Sequence, residues 1–487
     1  MANRFSIDQG PFEPTWESLR TYVCPEWFRN AKLGIWAHWG PQCVAMYGDW
    51  YARNMYMEGS DQYLYHWRQY GHPSRFGYKD IVKLWKAERF DPDELMGLYA
   101  KAGAKYFVAL AIHHDNFDNW NSRHHPWNAV KMGPRKDIVA LWREAAKKRG
   151  LHFGLTEHLA TTFSWFAVNK GCDKTGPYAG VPYDGNDPAY EDLYLPNQEE
   201  SKQPYEEKTW YSSNPWWHEQ WFRRIKDLID QHHPELLYSD SDVPFGEVGL
   251  HIIAHLYNTS ARLNGGVNQA VYTQKDSRPE AYTVGILDIE RGGQPDISPT
   301  PWQTDTCAGG WFYNVRQRYK TPKHIMELLV NTVSKNGNLT LNIPQKPDGT
   351  LDDECRHILK RMAEWIEING EGIYSTRPWK VAGEGPTTGE SGAFREDALD
   401  WTSEDFRFTA KDDNVYAFQL KWPDNGKALI KALAGAKELE VAEARLLGFD
   451  KPLGFTQDAN GLQIALPPKR EVEGPHCFCL RLGRRRP

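Results

Sequence analysis

Ionisable residues gather where short apolar runs of this chain stop. The run KLGIWA ends in His38, Trp39 and Gly40, and YFVALAI ends in His113, His114 and Asp115. LHFGLT runs into Glu157 and His158, and LLYS into Asp240, with Asp242 two residues on. Four runs finishing in the same kind of chemistry point to one shared site. His113 and His114 are adjacent, and on a strand they would point to opposite faces; no HxH or HExxH spacing occurs, so no metal site is expected. No GxSxG elbow signals a nucleophilic serine. What remains is carboxylate with imidazole and aromatics, the equipment for cleaving a glycosidic bond. That reaction needs one carboxylate at the anomeric carbon and a second carboxyl to protonate the leaving oxygen. Asp240 is placed for the first role, and a carboxyl on a separate loop must supply the second. No metal or organic cofactor is needed.

The elements holding these residues alternate between strand and helix from about residue 30 to about residue 370. Strands are predicted at 32–38, 106–112, 151–156, 236–240 and 338–343. Helices are predicted at 93–102, 137–149, 216–232, 324–335 and 353–368, the first two stopped by Gly103 and Gly150. Parallel strands need crossover connections, and a closed (β/α)8-like (TIM) barrel is the economical solution over this length. After about Pro378 the pattern changes to short alternating stretches such as VYAFQL and CFCLRL, the texture of an antiparallel β-sandwich. The expected division is a catalytic barrel over 1–375 and a β-sandwich domain over 376–487. Residues 159–215, rich in Trp, Tyr, Pro, Asn and Asp with little periodicity, read as an insertion covering the substrate.

Bulk composition narrows the partners. Aromatics make up 13% of the 487 residues, with 21 Trp and 24 Tyr, and flat indoles stack on the apolar face of a pyranose, although a large aromatic core needs them too. Net charge is −6, and the only basic run is Arg484–Arg486, so neither nucleic acid nor an anionic membrane is an expected partner. No apolar run reaches transmembrane length. The opening MANRFSIDQG lacks the apolar core of a signal peptide. Periplasmic or secreted location would require a leader already removed; cytoplasmic location is the alternative. Seven scattered Cys form no CxxC pair, and no disulfide is required. A homo-oligomer is compatible with all of this.

At these same residues the chain resembles the α-L-fucosidases of glycoside hydrolase family 29. The matching segments include WFRNAKLGIWAHWGPQCVAMYGDWYARNMY (27–56), YFVALAIHHDNFDNWNSRHHPWN (106–128) and PELLYSDSDVPFG (234–246). LDIERG (287–292), PWQTDTCAGGWFY (301–313) and LLVNTVSKNGNLTLNIPQKPDGTL (328–351) follow in order. The resemblance implies a barrel followed by a β-sandwich, and a retaining exo-hydrolase releasing terminal α-L-fucose from glycoconjugates or polysaccharides. Carried over by position, Asp240 is the nucleophile, with Asp242 its competitor. Glu290 is the acid/base, with Glu280 and Asp296 as alternatives. His38, His113 and His114 match residues that bind the sugar hydroxyls, and Trp50 matches an aromatic at the sugar. Glu157, His158 and Trp302 are further candidates for substrate binding, and Trp311 fits pocket wall and core equally. Asp49 stands where many relatives have Glu, and Glu157 and His158 where many carry Tyr and other residues. The two catalytic carboxyls should lie about 5–5.5 Å apart. An α-L-galactosidase of the same family, or a carbohydrate-binding protein on this scaffold, are the alternatives.

Overall fold

The computed structural model describes residues 4–196, 210–435, 440–468 and 472–483, except the Glu280 side chain. Arg484–Arg486 lie outside them, as does part of the insertion. Eight parallel strands close into a barrel: β1 Leu33–Ala37, β2 Tyr106–Ile112, β3 His152–Glu157, β4 Leu236–Ser239, β5 Val271–Gln274, β6 Ile286–Asp288, β7 Trp302–Cys307 and β8 Gly337–Asn342. Each strand pairs with its successor, and β8 returns to β1 through Leu33↔Leu339 to Trp36↔Asn342. The sequence reading of a barrel therefore stands.

Alternation along the strands divides two apolar layers. Trp36, Tyr106, Val108, Leu236, Tyr238, Val271 and Ile286 pack together inside the barrel. Ile35, Phe107, Ala109, Leu155 and Leu237 join the layer shared with the helices. The interior is tight enough that Gly34 is required on β1: a Cβ there would lie 2.2 Å from the Tyr106 ring. Tyr106 crosses to meet Thr340 Oγ1 at 2.7 Å.

The flanking helices begin as their sequence signals require. Asp91 caps Pro92–Lys101 by accepting from the Glu94 amide at 3.0 Å, and Asp137 caps Ile138–Lys148 by accepting from Ala140 at 2.8 Å. Gly103, at φ 102°, ends the first of them.

Past the barrel, β9 Arg377–Glu384, β10 Phe406–Lys411, β11 Asn414–Gln419, β12 Lys427–Ile430, β13 Val441–Leu446, β14 Phe455–Asp458, β15 Gly461–Ala465 and β16 His476–Leu482 form two antiparallel sheets. Their orders are β13-β16-β11-β10-β9 and β12-β15-β14. Phe406, Phe408, Val415, Ile430, Leu462, Ile464, Phe478 and Leu480 fill the space between them. The described part of the insertion is a chain of short helical turns tied down by buried carboxylates. Asp184 accepts from Tyr56 and Tyr194 at 2.7 Å each, and Asp173 from Tyr63 at 2.5 Å and Tyr183 at 2.6 Å.

Candidate active site

The C-terminal ends of the barrel strands deliver their next residues to one rim. His38 follows β1, and its amide donates to Asn342 Oδ1 at 2.9 Å, at the end of β8. The Asn342 side chain donates in turn to the carbonyls of Gly310 (3.1 Å) and Trp311 (2.9 Å). One asparagine thus fixes both His38 and the loop that lays Trp311 against Trp36 and His38, with ring centroids 5.2 and 5.5 Å apart.

His113 and His114 lie beyond the last residue of β2, so strand alternation does not separate them, and their rings are 4.4 Å apart. The expectation of opposite faces fails for that reason. Gln42 Oε1 accepts from the Ala52 amide at 3.1 Å, which turns its amide nitrogen toward His113 Nδ1 at 2.7 Å. His113 Nδ1 must then accept, placing its proton on Nε2, 3.8 Å from Asp49 Oδ1. His114 Nδ1 donates to the His158 carbonyl at 2.7 Å.

Asp240 follows β4 at the centre of this set. Its Oδ2 lies 3.1 Å from His158 Nδ1 and 3.3 Å from His114 Nε2. Its Oδ1 accepts from Tyr238 at 3.1 Å and from Lys275 Nζ at 2.7 Å. Lys275 follows β5 and donates also to Glu290 Oε2 at 2.5 Å, just past β6. Both carboxylates are thus held by one ammonium, and their bonded oxygens lie at most about 5 Å apart, the length of these contacts laid end to end; retaining glycosidases keep their two carboxyls about 5–5.5 Å apart.

Burial alone would raise the Asp240 carboxyl, but Lys275 and the adjoining His158 and His114 outweigh it and hold it well below the carboxylate range. Burial pushes His38 and His113 well below the usual imidazole value, and His158 down to about 4, so these rings are neutral. A neutral imidazole offers one donor and one acceptor, the pairing a sugar hydroxyl returns. Among the described residues, neither ring nitrogen of His38 has a hydrogen-bond partner, and buried Asp49 Oδ1 has none either. At a rim such atoms are available to a polar ligand or to water. Burial also pushes Asp49 up to about 7. Beneath Lys275, burial raises the interior carboxyls of Asp288, to about 7, and of Asp305, so the ammonium stands over a pair that resists full ionisation.

Several expected residues fall elsewhere. Glu157 is fully buried with its carboxylate turned to Trp221 Nε1 and the Leu159 amide, both 3.0 Å away. Trp302 opens β7, at the opposite end of the barrel, where its indole donates to the Lys335 carbonyl at 2.8 Å; the strand direction removes it from the rim. Asp296 is exposed beside Trp302, and the Glu280 side chain lies outside the described residues. Asp242, half-buried, has Asp276 and Arg278 as its charged neighbours rather than the histidines. Trp50 is half-buried, edge-on to Trp165 and Trp210 at 5.9 and 6.0 Å. Sequence reasoning missed Lys275, Gln42, Asn342 and Trp165, whose ring lies 5.1 Å from His114. Lys275 carried the signal used for the other strands, an ionisable residue ending a short run, VYTQ.

Two trios at the rim could offer ligand atoms within 4.8 Å of one another to a cation: His113, His114 and His158, and His38, Asp49 and His113. The fixed ammonium of Lys275 already occupies the neighbouring carboxylate of Asp240. A third trio, Asp8, Asp230 and His255, lies apart, with Arg262 on Asp8 and Lys226 on Asp230.

Comparison with known proteins adds a second line. The family model "Alpha-L-fucosidase" matches residues 1–371, and "Alpha-L-fucosidase C-terminal domain" matches 399–483. The chain is 28% identical to rat tissue alpha-L-fucosidase and 28% identical to human plasma alpha-L-fucosidase, covering in each case 94% of this chain and 88% of the relative. A crystal structure of Thermotoga maritima alpha-fucosidase in complex with fucose superposes with a TM-score of 0.74 over 96% of this chain and 100% of that one, at 24% identity.

Proposed function

Because the chain belongs to the α-L-fucosidase family, we propose that it releases terminal α-L-fucose from glycoconjugates or polysaccharides by double displacement, with Asp240 as nucleophile and Glu290 as acid/base. The observation that supports this most is the lysine-bridged pair of carboxylates, held close enough for attack by one and proton transfer by the other. Asp240, kept ionised by Lys275, attacks the anomeric carbon while protonated Glu290 gives its proton to the leaving oxygen. Once the glycosyl ester has formed, the Glu290 carboxylate takes the proton of the incoming water, whose oxygen attacks the anomeric carbon and releases Asp240. His38, His113 and His158 bind hydroxyls as neutral donors and acceptors, His114 stands beside them on Asp240, and Trp50 and Trp311 wall the ring. Glu157 and Trp302 act on the scaffold rather than on the sugar.

The test is hydrolysis of p-nitrophenyl α-L-fucoside by the wild type, Asp240→Gly and Glu290→Gln. Asp240→Gly should lose at least about a thousandfold in kcat, with azide restoring turnover and giving the β-fucosyl azide. Glu290→Gln should lose about a hundredfold or more on substrates with poor leaving groups. Turnover indifferent to Asp240 would sink the assignment.

A further inference from the structure

The loop that carries Glu290 is not free-standing. A segment of the chain beyond the barrel, between β9 and β10, pairs with it along the backbone. The Phe394 amide donates to the carbonyl of Glu290 itself at 2.8 Å, Arg395 donates to Arg291 at 2.8 Å, and Gly392 to Gly293 at 2.8 Å. Gly292 allows this approach: a Cβ there would lie 1.8 Å from the Gly392 carbonyl oxygen. One residue further on, the largely buried Glu396 carboxylate anchors the segment to the barrel. It accepts from Arg291 Nε at 2.6 Å, from Lys320 Nζ at 2.9 Å and from the Thr306 hydroxyl. Between the paired backbone and this anchor, Phe394 is held at φ 59° with 64% of its surface exposed. Phe394 thus presents an open aromatic face from a backbone held in the left-handed region, a conformation uncommon for a bulky side chain.

We propose that this segment completes the leaving-group side of the active site, with Phe394 the aromatic platform for the sugar or aryl group from which fucose is removed and Glu396 the residue that positions the Glu290 loop. The inference rests on the assignment of Glu290 as the acid. A general acid must lie beside the oxygen that departs, so whatever is anchored to its backbone borders the aglycone and not the fucose. The apolar face of a pyranose, or an aryl ring, can stack on an exposed phenyl there. Binding energy gained from that part of the substrate helps hold the scissile bond in place. The segment thus makes the C-terminal part of the chain a determinant of which fucoside is cut.

The test compares kcat/KM on two substrates, α-L-fucosyl fluoride and a fucosylated disaccharide, for the wild type, Phe394→Ala, Phe394→Trp and Glu290→Gln. Fluoride leaves without a platform and without strong need of an acid. Phe394→Ala should lose about tenfold more on the disaccharide than on the fluoride, chiefly through KM, and Phe394→Trp should restore the ratio. Equal losses on both substrates, or no loss on either, would overturn the platform. Failure of the underlying assignment looks different: Glu290→Gln would then lose as much on the fluoride as on the disaccharide, whatever Phe394 does.

Discussion

Burial raises the Asp240 carboxyl toward its neutral form, and a neutral carboxyl cannot attack. Lys275, 2.7 Å away, is the countercharge that keeps it ionised. Asp240 is held well below the usual carboxylate range, so in the wild type its protonation limits activity only in strong acid. Replacing Lys275 by Met removes the largest stabilising charge. The acid limb of the kcat/KM profile should move to higher pH, with kcat/KM falling about a hundredfold, while Lys275→Arg keeps the limb low. An unmoved limb in Lys275→Met would mean that the histidines suffice. At this scale the sequence was partly readable. His38, His113, His114, His158, Asp240 and Glu290 meet because each lies one or two residues past the end of a barrel strand. VYTQ is no shorter than LLYS, but half of it is polar, so Lys275 does not stand at the end of an apolar run, and Trp302 lies away from the rim because its segment begins β7 instead of ending it. Glu157 showed its burial only once Trp221 was in place.

The elements were legible where the apolar run is long. YFVALAI and LHFGLT are buried along almost their whole length and were readable as strands; β6 is three residues, and β7 carries Gln303 and Asp305 into the interior, so neither has a strand's usual pattern. Glu157, at the end of β3, shows what burial within an element costs. Burial pushes its carboxyl up to about 7, above the ordinary about 4.3 of the unfolded chain. Between these values the native state binds more protons than the unfolded one. Its contribution to stability is therefore full below about pH 4 and is lost as pH rises through about 7. Glu157→Gln has no proton to lose and should gain melting temperature relative to wild type between about pH 5 and about pH 8, whatever its fixed cost at Trp221. Parallel curves for the two proteins in a thermal denaturation series would contradict this.

Across the whole molecule, barrel and sandwich are joined by more than a linker. Tyr416, Phe418, Cys477 and Cys479 of the second part belong to the same apolar cluster as the barrel's outer layer. The Trp365 indole donates to the Pro475 carbonyl at 2.8 Å, and Arg407 Nε to Asn331 Oδ1 at 2.8 Å. The same part of the chain reaches the Glu290 loop through residues 392–396. A barrel alone would therefore leave the Glu290 loop without this support. The change of texture after Pro378 was visible in the sequence as alternating strands. The return of 392–396 to the rim was not, since GAFRE has no periodicity and its partners lie about a hundred residues earlier.

Covalent attack by Asp240 on the sugar is reported directly by the stereochemistry of the first product. Proton NMR of p-nitrophenyl α-L-fucoside hydrolysis, followed before mutarotation, should show α-L-fucose appearing first. β-L-fucose as the first anomer would mean direct attack by water, and the pairing of Asp240 with Glu290 as nucleophile and acid/base would fall.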